Sequence, residues 1–134
     1  MADDATIRDF GCERCWPPAA AAAWEGCRSL TCTQALIDES HFSVAMLACP
    51  RCAQRFVRVF TETIDWQGGE DPQYWTVLPI TEAEALDLSR QPESLVATRL
   101  GGVGQGRRSL QRDHPRAAAP QVFWGTGITV GPHD

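Results

Sequence analysis

HFSVAMLACPRCAQRFVRVFTETI, residues 41–64, has β-branched and aromatic side chains on both sides of a central CPRC. Residues of these types favour strands, and two strand-like runs that flank a short turn are typical of a hairpin. We therefore predict a strand over about residues 42–48, a turn at residues 49–52 and a second strand over about residues 55–64.

Downstream of this hairpin, the polar loop WQGGEDPQ leads to a third predicted strand over about residues 74–80. The next residues, Thr81-Glu-Ala-Glu84, match a capping box, in which the two side chains satisfy free N–H groups at the start of a helix. The apolar residues that follow predict a helix over about residues 82–90.

Upstream of the hairpin the sequence predicts shorter helices. Two prolines followed by AAAAAWEGC, residues 19–27, suit a short helix that ends near Gly26, because proline is tolerated at a helix start and alanine favours the helix interior. A second helical piece is predicted from Thr33 to Glu39, with Leu36 and Ile37 as its apolar contacts.

These elements predict an α+β fold, with an antiparallel sheet of about three strands and flanking short helices. The length of 134 residues fits one domain. We assign residues 1–100 to this domain and residues 101–120, which are rich in Gly and Arg, to a flexible segment. Residues 121–134 contain VFW, a GTG turn and further apolar residues, which predict a C-terminal strand or hairpin that packs on the same domain.

The composition excludes several classes of protein. The hydrophobic content is 43%, with five Trp and five Phe, as in globular proteins. No apolar run reaches the roughly 18–20 residues of a membrane span, and the acidic start MADDATIRDFG lacks the apolar region of a secretory signal. We therefore expect no membrane partner and a cytoplasmic, reducing location, where paired cysteines are more often metal ligands than disulfides.

Two Cys-x-x-Cys pairs, Cys12/Cys15 and Cys49/Cys52, predict a metal site. Zinc takes four ligands in a tetrahedron, and thiolates suit it well. A pair inside a tight turn presents two sulfurs on one side of the backbone, so two pairs together complete the tetrahedron. We predict that these four cysteines hold one Zn²⁺ as a structural ion.

This pattern resembles the zinc-ribbon group over residues 12–15 and about 42–64. The resemblance implies that the four knuckle cysteines are ligands of a structural zinc. The glycine that usually follows the second cysteine of such a knuckle is replaced by Trp16 in one pair and by Ala53 in the other. The stretches CPRCAQRF and IDWQGGEDPQYW also resemble small bacterial proteins of an immunity-like kind, which implies no role for any single residue.

The remaining cysteines leave alternatives open. Cys27 and Cys32 could join Cys49/Cys52 in place of the first pair, or they could bind a second zinc with His41 and a distant fourth ligand. Alternatively, both are free thiols that behave as small hydrophobes, and His41 is a hydrogen-bonding residue at a strand start.

An interaction module is the function that the sequence favours, with another protein as the partner. Trp and Tyr are enriched at interfaces, and here they alternate with acidic residues in and after the loop that follows the hairpin. The residues of this predicted partner-binding surface are Asp65, Trp66, Glu70, Asp71, Tyr74 and Trp75.

A nucleic-acid-binding zinc ribbon is the alternative, with contacts from Arg51, Arg55, Arg58 and the Arg107/Arg108 segment. The net charge of −5 opposes phosphate binding, and the first three arginines could equally offset the negative charge of a zinc–thiolate cluster.

A thiol or metal-dependent enzyme is a third class, and we expect no enzymatic activity. Four thiolates leave zinc no open position. CPRC also lies between two predicted strands, whereas a thioredoxin-like C-x-x-C lies in a βαβ setting.

Overall fold

Six strands form one antiparallel sheet in the computed structural model of the protein, which describes residues 10–133. Each strand pairs with its neighbour in sequence, so the sheet order is the chain order. The strands are β1 (Thr31–Glu39), β2 (Phe42–Ala48), β3 (Arg55–Glu62), β4 (Gln73–Ile80), β5 (Arg108–His114) and β6 (Gln121–Thr126).

Helices cover both faces of this sheet. Helix α1 (Ala20–Gly26), followed by a short 3₁₀ turn (Cys27–Ser29), lies before β1, and helices α2 (Glu82–Arg90) and α3 (Glu93–Leu100) lie between β4 and β5. Within residues 10–133, none of the helices combines the length and apolar character needed to cross a bilayer.

Each face has its own apolar core. The core on the face covered by α2 and α3 contains Val57, Leu78 and Ile80 of the sheet. These side chains pack with Leu88 and Leu100 of the two helices. Side chains of the opposite face pack with α1 and with two of the cysteines; this second cluster contains Cys15, Ala23, Ala45, Leu47, Cys49, Phe56, Val77 and Leu110. The cysteine turns are therefore part of the α1 layer.

The hairpin at the centre of the sequence is confirmed. Strands β2 and β3 pair from Phe42↔Thr61 to Ala48↔Arg55, so residues 49–54 form the connection between them. The capping box is also confirmed, since the Thr81 side chain accepts a hydrogen bond from the Glu84 N–H (3.1 Å) and Glu84 Oε1 accepts one from the Thr81 N–H (2.8 Å).

The predicted helix from Thr33 to Glu39 is wrong, because these residues belong to β1. Leu36 and Ile37 are adjacent apolar residues, and both are buried. Adjacent side chains of a regular strand point to opposite faces, so two adjacent apolar residues favour a helix when the sequence is considered alone. A shift of register between Ala35 and Ile37 in the pairing with β2 lets one strand bury both of them.

The expectation of about three strands is also wrong, and the six-stranded sheet does not match a zinc ribbon. Residues 101–120, predicted as a flexible segment, supply β5, which pairs with β4 on one side and β6 on the other. Of the strand or hairpin predicted over residues 121–134, the structure contains the strand β6, and its hairpin partner is β5. Beyond β6 the chain crosses the sheet, where Thr76 Oγ1 donates to the Thr129 carbonyl (3.1 Å).

Candidate metal centre

The second cysteine pair lies in the tight turn between β2 and β3. The Ala53 N–H donates to the Cys49 carbonyl (2.9 Å), and the Arg51 N–H points at Cys49 Sγ (3.4 Å). Ala53 closes the turn with φ +68°, the left-handed region in which knuckles usually place glycine. The turn therefore keeps the knuckle geometry although the glycine is missing.

Replacement of Ala53 with glycine is expected to stabilise the protein by up to about 1 kcal/mol, because a Cβ is disfavoured at positive φ. Denaturant unfolding of the metal-loaded protein measures this. Ala22→Gly, in α1, is the matched control, and a loss of about 1 kcal/mol is expected there because its backbone is helical. A loss of stability in Ala53→Gly would contradict the strained turn.

The first cysteine pair lies in a turn just before α1. The Trp16 N–H donates to the Cys12 carbonyl (2.8 Å), and the Cys12 N–H donates to Cys15 Sγ (3.2 Å). Trp16 occupies the position after the second cysteine because its ring packs on Phe56, with the ring centroids 5.4 Å apart. A large side chain thus anchors this turn to the sheet.

Gln54, which no sequence motif predicted, connects the two turns. Its Oε1 accepts a hydrogen bond from the Gly11 N–H (2.9 Å), which adjoins the first pair, while its backbone carbonyl accepts from the Cys49 N–H (2.9 Å). Its Nε2 donates to the carbonyls of Arg55 (2.8 Å) and Ile80 (2.9 Å). One amide side chain therefore holds the two cysteine turns in a fixed relation.

The four sulfur atoms of these turns form one compact cluster. All lie within 4.8 Å of one another, with Cys12–Cys15 at 3.7 Å, Cys15–Cys52 at 3.8 Å and Cys12–Cys49 at 3.9 Å. The four thiols are free, and these separations are far longer than the roughly 2 Å of a disulfide bond. A tetrahedral ion with metal–sulfur bonds of about 2.3 Å requires sulfurs about 3.8 Å apart, so the cluster has the dimensions of a tetrathiolate metal site.

Burial and hydrogen bonding set the acidity of these thiols. Burial raises the pKa of Cys15 well above its usual value and also raises the pKa of Cys52. Backbone hydrogen bonding from Cys15 lowers the pKa of Cys12 to about 7. Thiols with raised pKa values are protonated at neutral pH until a cation replaces their protons.

Zinc binding at pH 7 is therefore expected to release at least two protons, from Cys15 and Cys52. Since protons compete with the metal for the sulfurs, zinc affinity should fall as the pH falls. Isothermal titration calorimetry in buffers of different ionisation enthalpy counts the released protons. A binding enthalpy that does not change with the buffer would contradict the involvement of protonated thiols.

The other candidate ligands do not form a second site. Among residues 10–133, the four clustered cysteines are the one group of three or more His, Cys, Asp or Glu residues close enough to share an ion. Cys27 packs at the edge of the α1 layer, where burial raises its pKa to about 11. Cys32 is exposed on β1, and His41 Nδ1 lies 3.0 Å from Glu62 Oε1.

The predicted nucleic-acid contacts are dispersed. Arg55 forms an ion pair with Glu82 of α2 (3.4 Å), whereas Arg58, three residues along the strand, lies on the opposite face. Arg107 forms a bidentate contact with Glu84, with N–O distances of 2.8 and 3.1 Å. The remaining two, Arg51 in the second turn and Arg108 over the Trp124 ring, are exposed.

Two of the three acidic residues of the predicted partner-binding surface, Asp65 and Asp71, have local structural roles. Asp65 accepts backbone hydrogen bonds within its own loop, of which the one from the Gly68 N–H (2.9 Å) contributes most to the lowering of its pKa. Asp71 accepts from the Asp65 N–H (2.8 Å). Glu70 is exposed in the same loop.

The aromatic residues of this surface point in different directions. Trp66 is 85% exposed in the loop. Tyr74 and Trp75 are neighbours on β4 and thus face opposite sides of the sheet.

Comparison of the chain with protein-family models, with curated proteins and with solved structures found no match.

Proposed function

We propose that Cys12, Cys15, Cys49 and Cys52 hold one structural Zn²⁺, and that the protein is a non-enzymatic interaction module whose fold the ion stabilises. The observation that carries the zinc assignment is the cluster of four sulfurs within 4.8 Å of one another, in which three sulfur–sulfur distances, 3.7, 3.8 and 3.9 Å, match a tetrahedron of zinc–thiolate bonds. Four thiolates are one of the donor sets of structural zinc sites, and they leave no open position for a substrate.

The surroundings of the cluster support a structural role. Cys15 and Cys49 are 2% and 5% exposed and belong to the apolar core beneath α1. An ion bound there joins the turn before α1 to the turn between β2 and β3, which lie far apart in sequence. We place the protein in the cytoplasm, since a reducing compartment keeps such thiols available to a metal.

The metal assignment is tested by purification from cells without added metal, followed by elemental analysis. We expect one zinc per chain, and removal by a strong chelator should lower the unfolding temperature or unfold the protein. Iron in place of zinc would be visible by its colour and would refute the proposed ion. A metal-free chain with unchanged stability would refute the site itself.

An interaction role is supported by the exposed Trp66 and by the half-buried Trp75, because Trp is enriched where proteins bind one another. An immunity-like form of this role, in which the protein binds and neutralises another protein, is supported by the resemblance of CPRCAQRF and IDWQGGEDPQYW alone. The nucleic-acid alternative is weakened by the dispersal of its arginines and by the net charge of −5.

A further inference from the structure

A row of aromatic and arginine side chains crosses the centre of the sheet, on the face that α1 partly covers. Phe60 of β3, Trp75 of β4 and Arg112 of β5 are direct cross-strand partners, so their side chains share one face. Arg58, two residues from Phe60 on β3, is on the same face, and Trp24 of α1 borders it. We call these five residues the Arg–Trp face.

The members of the Arg–Trp face contact one another. The Phe60 and Trp75 rings lie 4.4 Å apart, and the Trp24 and Trp75 rings lie 5.8 Å apart. Arg58 lies over Trp75 at 5.6 Å, and Arg112 lies over Trp24 at 5.4 Å. All five residues are half-buried, so the face is partly open to solvent, although the Trp75 indole nitrogen itself is buried.

Neither guanidinium of this face has an ion-pair partner among the carboxylates of residues 10–133, although the chain as a whole is acidic. Asp113 follows Arg112 in sequence but points to the other side of the sheet. Glu62 is engaged by His41 (3.0 Å) and by Gln73 (2.8 Å). Two half-buried positive charges thus lie on an aromatic surface, and the described part of the chain supplies no ion-pair partner for either.

We propose that the Arg–Trp face is the docking surface for a partner protein, and that it binds an acidic segment with an aromatic or apolar residue beside the carboxylate. This deepens the proposed interaction role and rests on it. Arg and Trp are the residues most enriched in binding hot spots, and a carboxylate from the partner would supply the charge that the two guanidinium groups lack.

A peptide segment suits this surface better than a nucleic acid does. A nucleic acid brings a long row of phosphates, and the net charge of −5 repels it over distances of about a Debye length, roughly 8–10 Å. A short acidic segment places its charge only where Arg58 and Arg112 lie. The same rings could stack on bases, so the test includes an oligonucleotide.

The test is a titration of the zinc-loaded, ¹⁵N-labelled protein with the peptide acetyl-Asp-Phe-Asp-Phe-amide, followed through the tryptophan indole N–H signals. We expect the signals of Trp24 and Trp75 to shift. The Asn-Phe-Asn-Phe version should bind about a hundredfold more weakly, because it loses both carboxylates and each charge-assisted hydrogen bond is worth about one order of magnitude in affinity. Arg58→Gln and Arg112→Gln remove one guanidinium each and should each cost about tenfold.

Arg90→Gln is the matched control, since Arg90 is exposed at the end of α2, on the other face of the sheet, and should leave binding unchanged. Equal binding of the two peptides, unchanged binding in both arginine variants, or no shift at millimolar peptide would overturn the proposal. Tighter binding of a short oligothymidylate would overturn it in favour of nucleic acid. One zinc per chain in every variant shows that the fold is intact, so a failure here is distinct from a failure of the metal site.

Discussion

Cys49→Ser is expected to abolish zinc binding and to unfold at least the layer formed by α1 and the two cysteine turns. Cys49 is 5% exposed, and its sulfur lies 3.9 Å from that of Cys12. A structural zinc contributes an apparent 10–16 kcal/mol in zinc-finger peptides, about as much as the whole stability of a typical domain, roughly 5–15 kcal/mol. The loss of one ligand should therefore cost several kcal/mol, which chemical denaturation and elemental analysis of the purified variant measure.

Cys32→Ser provides the matched control for this experiment. Cys32 is exposed on the edge strand β1 and lies outside the sulfur cluster. This variant should keep one zinc and the stability of the parent protein. If Cys49→Ser retained its zinc, or if Cys32→Ser lost it, the assignment of the ligands would be wrong.

Gly26→Ala is expected to destabilise the protein by about 1–3 kcal/mol, the typical cost of forcing an extra methyl group into a packed site. A Cβ at Gly26 would lie 2.3 Å from the backbone carbonyl oxygen of Arg14, which belongs to the first cysteine turn. Gly26 has φ −63°, so alanine would otherwise favour the helix. The predicted loss thus comes entirely from the contact between α1 and the turn, and zinc affinity should fall with it.

Gly101→Ala is the control for Gly26→Ala. Gly101 has a helical φ of −65° at the end of α3, and a Cβ there meets no atom within 4 Å. The free energy of unfolding of the Gly101→Ala variant should be unchanged or slightly raised. Denaturant titration of both glycine variants and of the parent protein measures this. A Gly26→Ala protein as stable as the parent would mean that α1 does not pack closely on the first turn.

The hairpin and the cysteine turns were predictable because their signals are local. The runs on either side of CPRC contain β-branched and aromatic residues, and they form β2 and β3 almost over the predicted ranges. The capping box at Thr81 likewise depends on two residues three positions apart. Each of these features can be recognised without knowledge of the rest of the fold.

Strands β1 and β5 were missed because distant residues determine them. β1 is irregular and owes its conformation to its pairing with β2. β5 has the polar sequence RSLQRDH and buries only Ser109 and Leu110. β5 is held in the sheet by its pairing with β4 and β6 and by the aromatic rings beneath Arg108 and Arg112. None of these contacts is visible in the sequence of β5 itself.

The cysteine pairing could be predicted, but its support could not. Nothing in the sequence marks Gln54, because a single glutamine after a knuckle has no recognisable pattern, yet it hydrogen-bonds to both turns. Trp16 looked like a departure from the knuckle pattern. The structure shows its reason, since the ring packs between Phe56 and Trp124, with centroid distances of 5.4 and 5.0 Å.

X-ray absorption spectroscopy at the zinc edge of the purified, unmodified protein tests the metal centre most directly. Four sulfur neighbours at about 2.3 Å, with no nitrogen or oxygen in the first shell, are the result that the sulfur cluster predicts. A mixed sulfur and nitrogen shell, or a protein that carries no metal, would contradict it.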